Sequence, residues 1–192
     1  MNFVEPIHDR KKIAQIKNLL RGQGRYRDLL LFVVGINSAL RISDLLQVKI
    51  THFLNEKGQI KTRFWIKEQK RRKRHEIAIN QSIRDSLTEY LREYPNSAKE
   101  GEHILFFNPK TNQAIKRGQA WKVFTNICAD VGLLGKYGTH SLRKTWGFHA
   151  RMQGVDLALI MHKLNHESIA YTKRYLGITD DELEEVAHRL KL

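Results

Sequence analysis

The sequence predicts a mainly helical α+β domain that carries one small antiparallel β-hairpin. Two patterns predict it. Apolar residues recur with the period of a helix through most of the chain, and only within 59–80 does the pattern change to β-branched and aromatic residues flanking a charged turn. At 192 residues the chain suits one domain spanning 1–192, long enough to bury a core. Lys and Arg number 34 against 20 for Asp and Glu, a net charge of +14 whose field favours a polyanion, with nucleic acid the first candidate. The longest apolar run, 29–36, is far shorter than the roughly 20 residues that cross a bilayer, and no basic-then-apolar leader opens the chain. These features predict a soluble cytoplasmic protein without a membrane partner. The single cysteine, Cys128, rules out an intramolecular disulfide and reads as a core thiol with no catalytic role.

In chain order, Ile13, Ile16, Leu19 and Leu20 form one stripe of a helix over 9–21, which Gly22-Gln23-Gly24 ends. A helix over 26–38 is apolar on nearly every side and should lie at the centre of the core. Next comes Ala39-Leu40-Arg41-Ile42-Ser43-Asp44-Leu45-Leu46, where Ser43 suits the N-cap of a short helix and Arg41 sits in the preceding turn. The hairpin follows, with Phe64, Trp65 and Ile66 in one strand and Ile77, Ala78 and Ile79 in the other. Its tip, from Lys67 to His75, holds six basic residues and one Glu, which projects charge toward a partner such as duplex DNA.

Helical periodicity returns over 81–94 and stops at Pro95. The short apolar stretch 103–107 reads as a buried strand. A helix over 117–131 should turn Trp121, Phe124, Ile127 and Cys128 inward and end at Gly132. A helix over 141–153 stops at Gly154, and another over 155–164 ends at Asn165, since Asn is the best substitute for Gly at a left-handed position after a helix. A helix from about Ser168 carries Tyr171 and Tyr175, and a last one covers 180–190.

The residues richest in chemistry lie in the second half. His140 and Arg143, spaced i, i+3 at the start of a helix, place an imidazole and a guanidinium where they can meet one tetrahedral anion, a phosphate. Tyr171 and Tyr175 lie four residues apart on one helical face, and geometry does not separate them.

Taken together, Ala39-Leu40-Arg41-Ile42-Ser43-Asp44, the basic hairpin, His140-x-x-Arg143, Leu164-Asn165-His166 and Thr172-x-x-Tyr175 resemble, in order and spacing, the catalytic boxes of the tyrosine recombinase (phage integrase) family. The resemblance covers essentially the whole chain, as the catalytic domain of that family without its N-terminal core-binding domain. Two departures stand out: the usual Lys-Thr-Gly-Lys of the hairpin tip is Lys70-Arg71-Arg72-Lys73 here, and the usual Leu-Gly-His is Leu164-Asn165-His166.

The resemblance implies site-specific cleavage and rejoining of double-stranded DNA through a covalent phosphotyrosine link, without metal or other cofactor, in a bacterial, phage or mobile-element setting. It implies Tyr175 as nucleophile, since the family places a His nine positions before it and a Thr three before it. Arg41 and Arg143 would neutralise the nonbridging oxygens by bidentate hydrogen bonds. Lys70 would protonate the leaving 5′-oxygen, with Lys73 and Lys67 as alternatives. His140 would assist proton transfer at the tyrosine, His166 would donate to the phosphate, and Asp44 would orient the basic cluster. Lys67, Arg71, Arg72, Lys73 and Arg74 would contact DNA. A homo-oligomer, a synaptic tetramer on DNA, would assemble with help from helix 180–190, whose Leu183, Val186, Ala187 and Leu190 share a face. A topoisomerase IB-like relaxing enzyme and a non-cleaving DNA-binding regulator are the alternatives on the same fold.

Overall fold

The computed structural model describes residues 4–69, 73–98, 103–108, 110–178 and 188. Lys70, Arg71 and Arg72, and helix 180–190 apart from His188, lie outside these residues. The chain forms two compact units that divide between Trp146 and Gly147.

In the first unit, α1 (Arg10–Gly22) starts where the Asp9 side chain accepts from the Lys11 N–H. α2 (Tyr26–Ser38) is central as expected: Leu29 through Val34 are all buried, and α5 is its chief neighbour. α3 (Ile42–Leu45) and α4 (Ile50–Phe53) are single turns. The expected cap for α3 is corrected. Ser43 lies inside the helix, and the cap position is held by Arg41 in extended conformation, whose carbonyl accepts from the N–H groups of Asp44 and Leu45. The helix therefore starts one residue before Ser43.

The hairpin pairs β1 (Arg63–Lys67) with β2 (Arg74–Ala78), in register from Arg63 opposite Ala78 to Lys67 opposite Arg74. The two-residue alternation of a strand turns Phe64, Ile66, Ile77 and Ile79 into the core, and it carries Glu68 and His75 inward with them. Trp65 faces out, with the Arg74 guanidinium 5.1 Å from its ring centre. Arg74 thus offers solvent a charge stacked on an aromatic face.

α5 (Gln81–Glu93) is capped by Asn80 and followed by a 3-10 turn, Pro95–Ala98. The stretch 103–107 is less regular than a strand. Ile104 makes an isolated bridge to Lys49, and β3 (Phe107–Asn108) pairs with β4 (Gln113–Ala114), while Leu105 and Phe106 are fully buried. α6 (Arg117–Asp130) buries Ala120, Phe124, Ile127 and Cys128. The structure corrects the reading of Trp121, which lies at one edge of that stripe, about 20° past Cys128 around the helix and two turns before it, and is 50% exposed.

α7 (Thr139–Met152) begins two residues earlier than expected and ends before Gly154, whose φ is +76°. In the second unit α8 (Leu157–Lys163), capped by Asp156, packs against α9 (Ile169–Leu176), capped by Ser168. No described helix is long and apolar enough to cross a membrane.

Candidate active site

The side chains singled out by the sequence fall into two groups, one within each unit. In the first unit Arg143 is held deep, 2% exposed, and its guanidinium donates through Nη1 to the carbonyl of Ala39. Ala39 takes a left-handed conformation, φ 59°, at the C-terminal end of α2, where carbonyls lack helix partners and carry partial negative charge. α7 comes close enough for this because α2 has Gly35 at the crossing. A Cβ on Gly35 would sit 2.8 Å from Leu142 Cδ1, the side chain adjoining Arg143.

Arg41 is oriented from the hairpin. Its Nη1 lies 2.7 Å from Oε2 of Glu68, whose side chain is fully buried. The other oxygen of Glu68 is 3.3 Å from His75 Nδ1. Asp44, also buried, accepts from the Gln69 N–H at 2.9 Å. Asp44 thus holds the backbone just past β1 at Gln69, where Glu68 meets Arg41 and His75, so Asp44 acts on the hairpin backbone as well as on the cations. Burial pushes the Asp44 carboxyl above the usual range. The Gln69 hydrogen bond opposes this, the charge of Glu68 adds to it, and Arg41 and Arg143 oppose it.

His140 and Arg143 differ in exposure although they share the first turns of α7. The imidazole keeps an exposed edge while the guanidinium is buried. The His140 pKa is lowered, first by desolvation and then by the charges of Arg143, Arg117, Arg41 and Lys144. Those charges also place His140 in one electrostatic cluster with both arginines. Lys144 was not anticipated: it is 7% exposed and burial lowers its pKa. Glu68 was missed too, although the alternation Phe64, Ile66, Glu68 would have shown it facing inward. Lys67, Lys73 and Arg74 are exposed. Among the described residues no three His, Cys, Asp or Glu side chains group to hold a metal ion.

In the second unit the expected corner is present. Asn165 has φ 47°, its N–H bonds to the His162 carbonyl, and the His166 N–H bonds to the Met161 carbonyl at 3.0 Å, the two bonds of a Schellman helix end. This pins the backbone of His166. Its ring meets Tyr171 and Tyr175 edge to face, with centres 4.7 and 4.8 Å apart. The two tyrosine rings stack on each other at 6.4 Å. Contact with His166 therefore does not choose between them. Exposure differs: Tyr171 is 44% exposed, whereas the Tyr175 hydroxyl oxygen is shielded from solvent. Gly147 permits this packing, because a Cβ there would lie 2.7 Å from Leu176 Cδ2, next to Tyr175.

A family model described as the phage integrase family matches residues 8–182. The chain is 38% identical over 181 residues to the probable integrase/recombinase YoeC of Bacillus subtilis (strain 168), an alignment covering 94% of this chain and 93% of that protein. It is 28% identical to the tyrosine recombinase XerC of Thermodesulfovibrio yellowstonii (strain ATCC 51303 / DSM 11347 / YP87), across 83% of this chain and 53% of that one. Among solved structures, the XerH site-specific recombinase bound to difH substrate, a pre-cleavage complex, superposes with a TM-score of 0.71 at 25% identity, covering 95% of this chain and 52% of that chain. The chain thus spans nearly all of YoeC and about half of the two longer recombinases.

Proposed function

The chain belongs to the phage integrase family, and from that premise we propose that it cleaves and rejoins duplex DNA at specific sites through a covalent phosphotyrosine formed by Tyr175. The observation that carries this reading is the pair of arginines oriented in advance, Arg143 on the Ala39 carbonyl and Arg41 on Glu68, in one electrostatic cluster with His140. Fixed guanidiniums suit the nonbridging oxygens of a phosphodiester, because they need no reorganisation as charge builds in the transition state. The net charge of +14 supports DNA as the partner.

The Tyr175 oxygen attacks phosphorus, the new O–P bond forms as the bond to the 5′-oxygen breaks, and the tyrosine keeps the 3′-phosphate. The phenolic proton passes to His140, whose depressed pKa keeps a neutral, accepting imidazole at pH 7. Lys70 protonates the departing 5′-oxygen, with Lys73 and Lys67 as alternatives. Rejoining reverses these transfers with a 5′-hydroxyl as nucleophile. Positive side chains supply the charge stabilisation, so the reaction proceeds without a metal ion. Assembly as a homo-oligomer on DNA, through 180–190, completes the reading.

The test is incubation with nicked suicide duplexes carrying candidate sites, resolved on a denaturing gel in EDTA. Wild type and Tyr171→Phe should give a covalent adduct, and Tyr175→Phe should give none. Loss of the wild-type adduct on chelation, or its persistence in Tyr175→Phe, refutes the mechanism.

A further inference from the structure

Thr172 carries a consequence for the chemistry of His166. Its side chain is fully buried in α9, with Oγ1 3.0 Å from the Ser168 carbonyl oxygen and 3.1 Å from His166 Nδ1. A carbonyl oxygen only accepts, so the single hydroxyl proton of Thr172 is committed to Ser168. Toward His166 the same oxygen can then only accept, which requires a proton on Nδ1. The His166 backbone is pinned by its bond to Met161, and its ring packs edge to face on both Tyr171 and Tyr175, so the nitrogen facing Thr172 is set by the fold. A neutral imidazole has one N–H. With that hydrogen on Nδ1, Nε2 presents a lone pair, which a phosphate oxygen repels.

We propose that Thr172 is a positioning residue that holds neutral His166 as the Nδ1–H tautomer, and that His166 therefore contacts the scissile phosphate only as an imidazolium. Nε2 takes a proton from solvent as the phosphate arrives, and both ring nitrogens then donate, Nδ1 to Thr172 and Nε2 to the phosphate. The hydrogen bond gained is charge-assisted, stronger than a neutral ring could give. The proposal rests on the proposed function together with the phosphate contact that the family resemblance implies for His166, and it makes that histidine a positive charge on the phosphate. Thr172 touches neither substrate nor reacting atoms in this account and acts through the ring.

The experiment is nitrogen NMR of the full chain labelled with 15N-histidine, at a pH where free imidazole is neutral, with His166 assigned by its loss in His166→Gln. Wild type and Thr172→Ser should both show Nδ1–H. Thr172→Val, nearly the same shape without the hydroxyl, should show Nε2–H in substantial population. An Nε2–H wild type, or a folded Thr172→Val that keeps Nδ1–H, overturns the proposal. Should the valine variant fail to fold, wild type and the serine variant still decide, because either one in the Nε2–H form is contrary to it. These spectra need no DNA, so they stand whether or not the chain cleaves. With a suicide duplex, Thr172→Val should lose about tenfold or more in adduct rate, the difference between a hydrogen bond to a charged group and one to a neutral group, and Thr172→Ser should restore it. Equal rates in wild type and valine variant overturn the imidazolium contact, whereas a wild type that forms no adduct counts against the proposed activity.

Discussion

Glu68→Gln tests whether the hairpin holds Arg41 through a buried charge. Glu68 is fully buried and the Arg41 side chain is 17% exposed, so the pair lies in a medium of much lower dielectric than water. Glutamine keeps the shape and can still meet His75, but it leaves the guanidinium without its nearby counter-charge. Removing one partner of a buried pair costs about 3 to 5 kcal/mol, and the partial exposure of Arg41 favours the lower end, about 3 kcal/mol. For a chain of this size that equals a fall in Tm of roughly 6 to 12 °C. Replacing both partners by apolar residues, Glu68→Leu with Arg41→Met, should cost less than Glu68→Leu alone, because no isolated charge is left behind. Urea denaturation at neutral pH measures both effects. A loss below about 1 kcal/mol for Glu68→Gln, the level of an exposed pair, would refute the reasoning.

Gly35→Ala places a methyl group 2.8 Å from Leu142 Cδ1. Relief of the helix cost of glycine, up to about 1 kcal/mol, should be outweighed by overpacking of about 1 to 3 kcal/mol, so denaturation should show a net loss and a gain would contradict the crossing. His140 has a lowered native pKa, so between the ordinary imidazole value of about 6.5 and that lower value the unfolded chain binds more protons than the native one. Stability should therefore fall as pH drops through this window, by less in His140→Gln than in wild type, and parallel pH profiles would refute the assignment.

The helices were legible where local chemistry and packing agree. The run from Leu29 to Val34 is buried on every side, and Asn165 takes the left-handed corner expected of it. Trp121 differs from expectation because a large aromatic counts as apolar in a periodicity, yet it lies at the edge of the buried stripe and half exposed. Ser43 misled as a good local cap where the turn at Arg41 sets the start of α3. In the hairpin, composition hid the register: a Glu and a His within a basic run look solvated, but the strand period carries both inward, where Glu68 meets His75 and Arg41. Gly35 and Gly147 gave no sign at all, since a helix crossing depends on which distant side chain, Leu142 or Leu176, arrives there.

The first-unit cluster has a common electrostatic sense. His140 is pushed toward its neutral form by burial and four nearby cations, and Lys144 is pushed the same way by burial. Glu68, against Arg41, and Asp44, against the hairpin backbone, supply negative charge from within the fold. Asp44 is itself drawn toward protonation by burial and by Glu68, which limits how much cationic charge the acids can balance. Further internal acid would meet the same desolvation cost. In the proposed reaction a phosphate arriving from solvent would bring its charge without requiring the fold to bury it in advance, and its field would raise the proton affinity of His140 as it binds. On the proposed function, the His140 imidazole would then be a better proton acceptor once the scissile phosphate is in place, when the attacking tyrosine must release its proton.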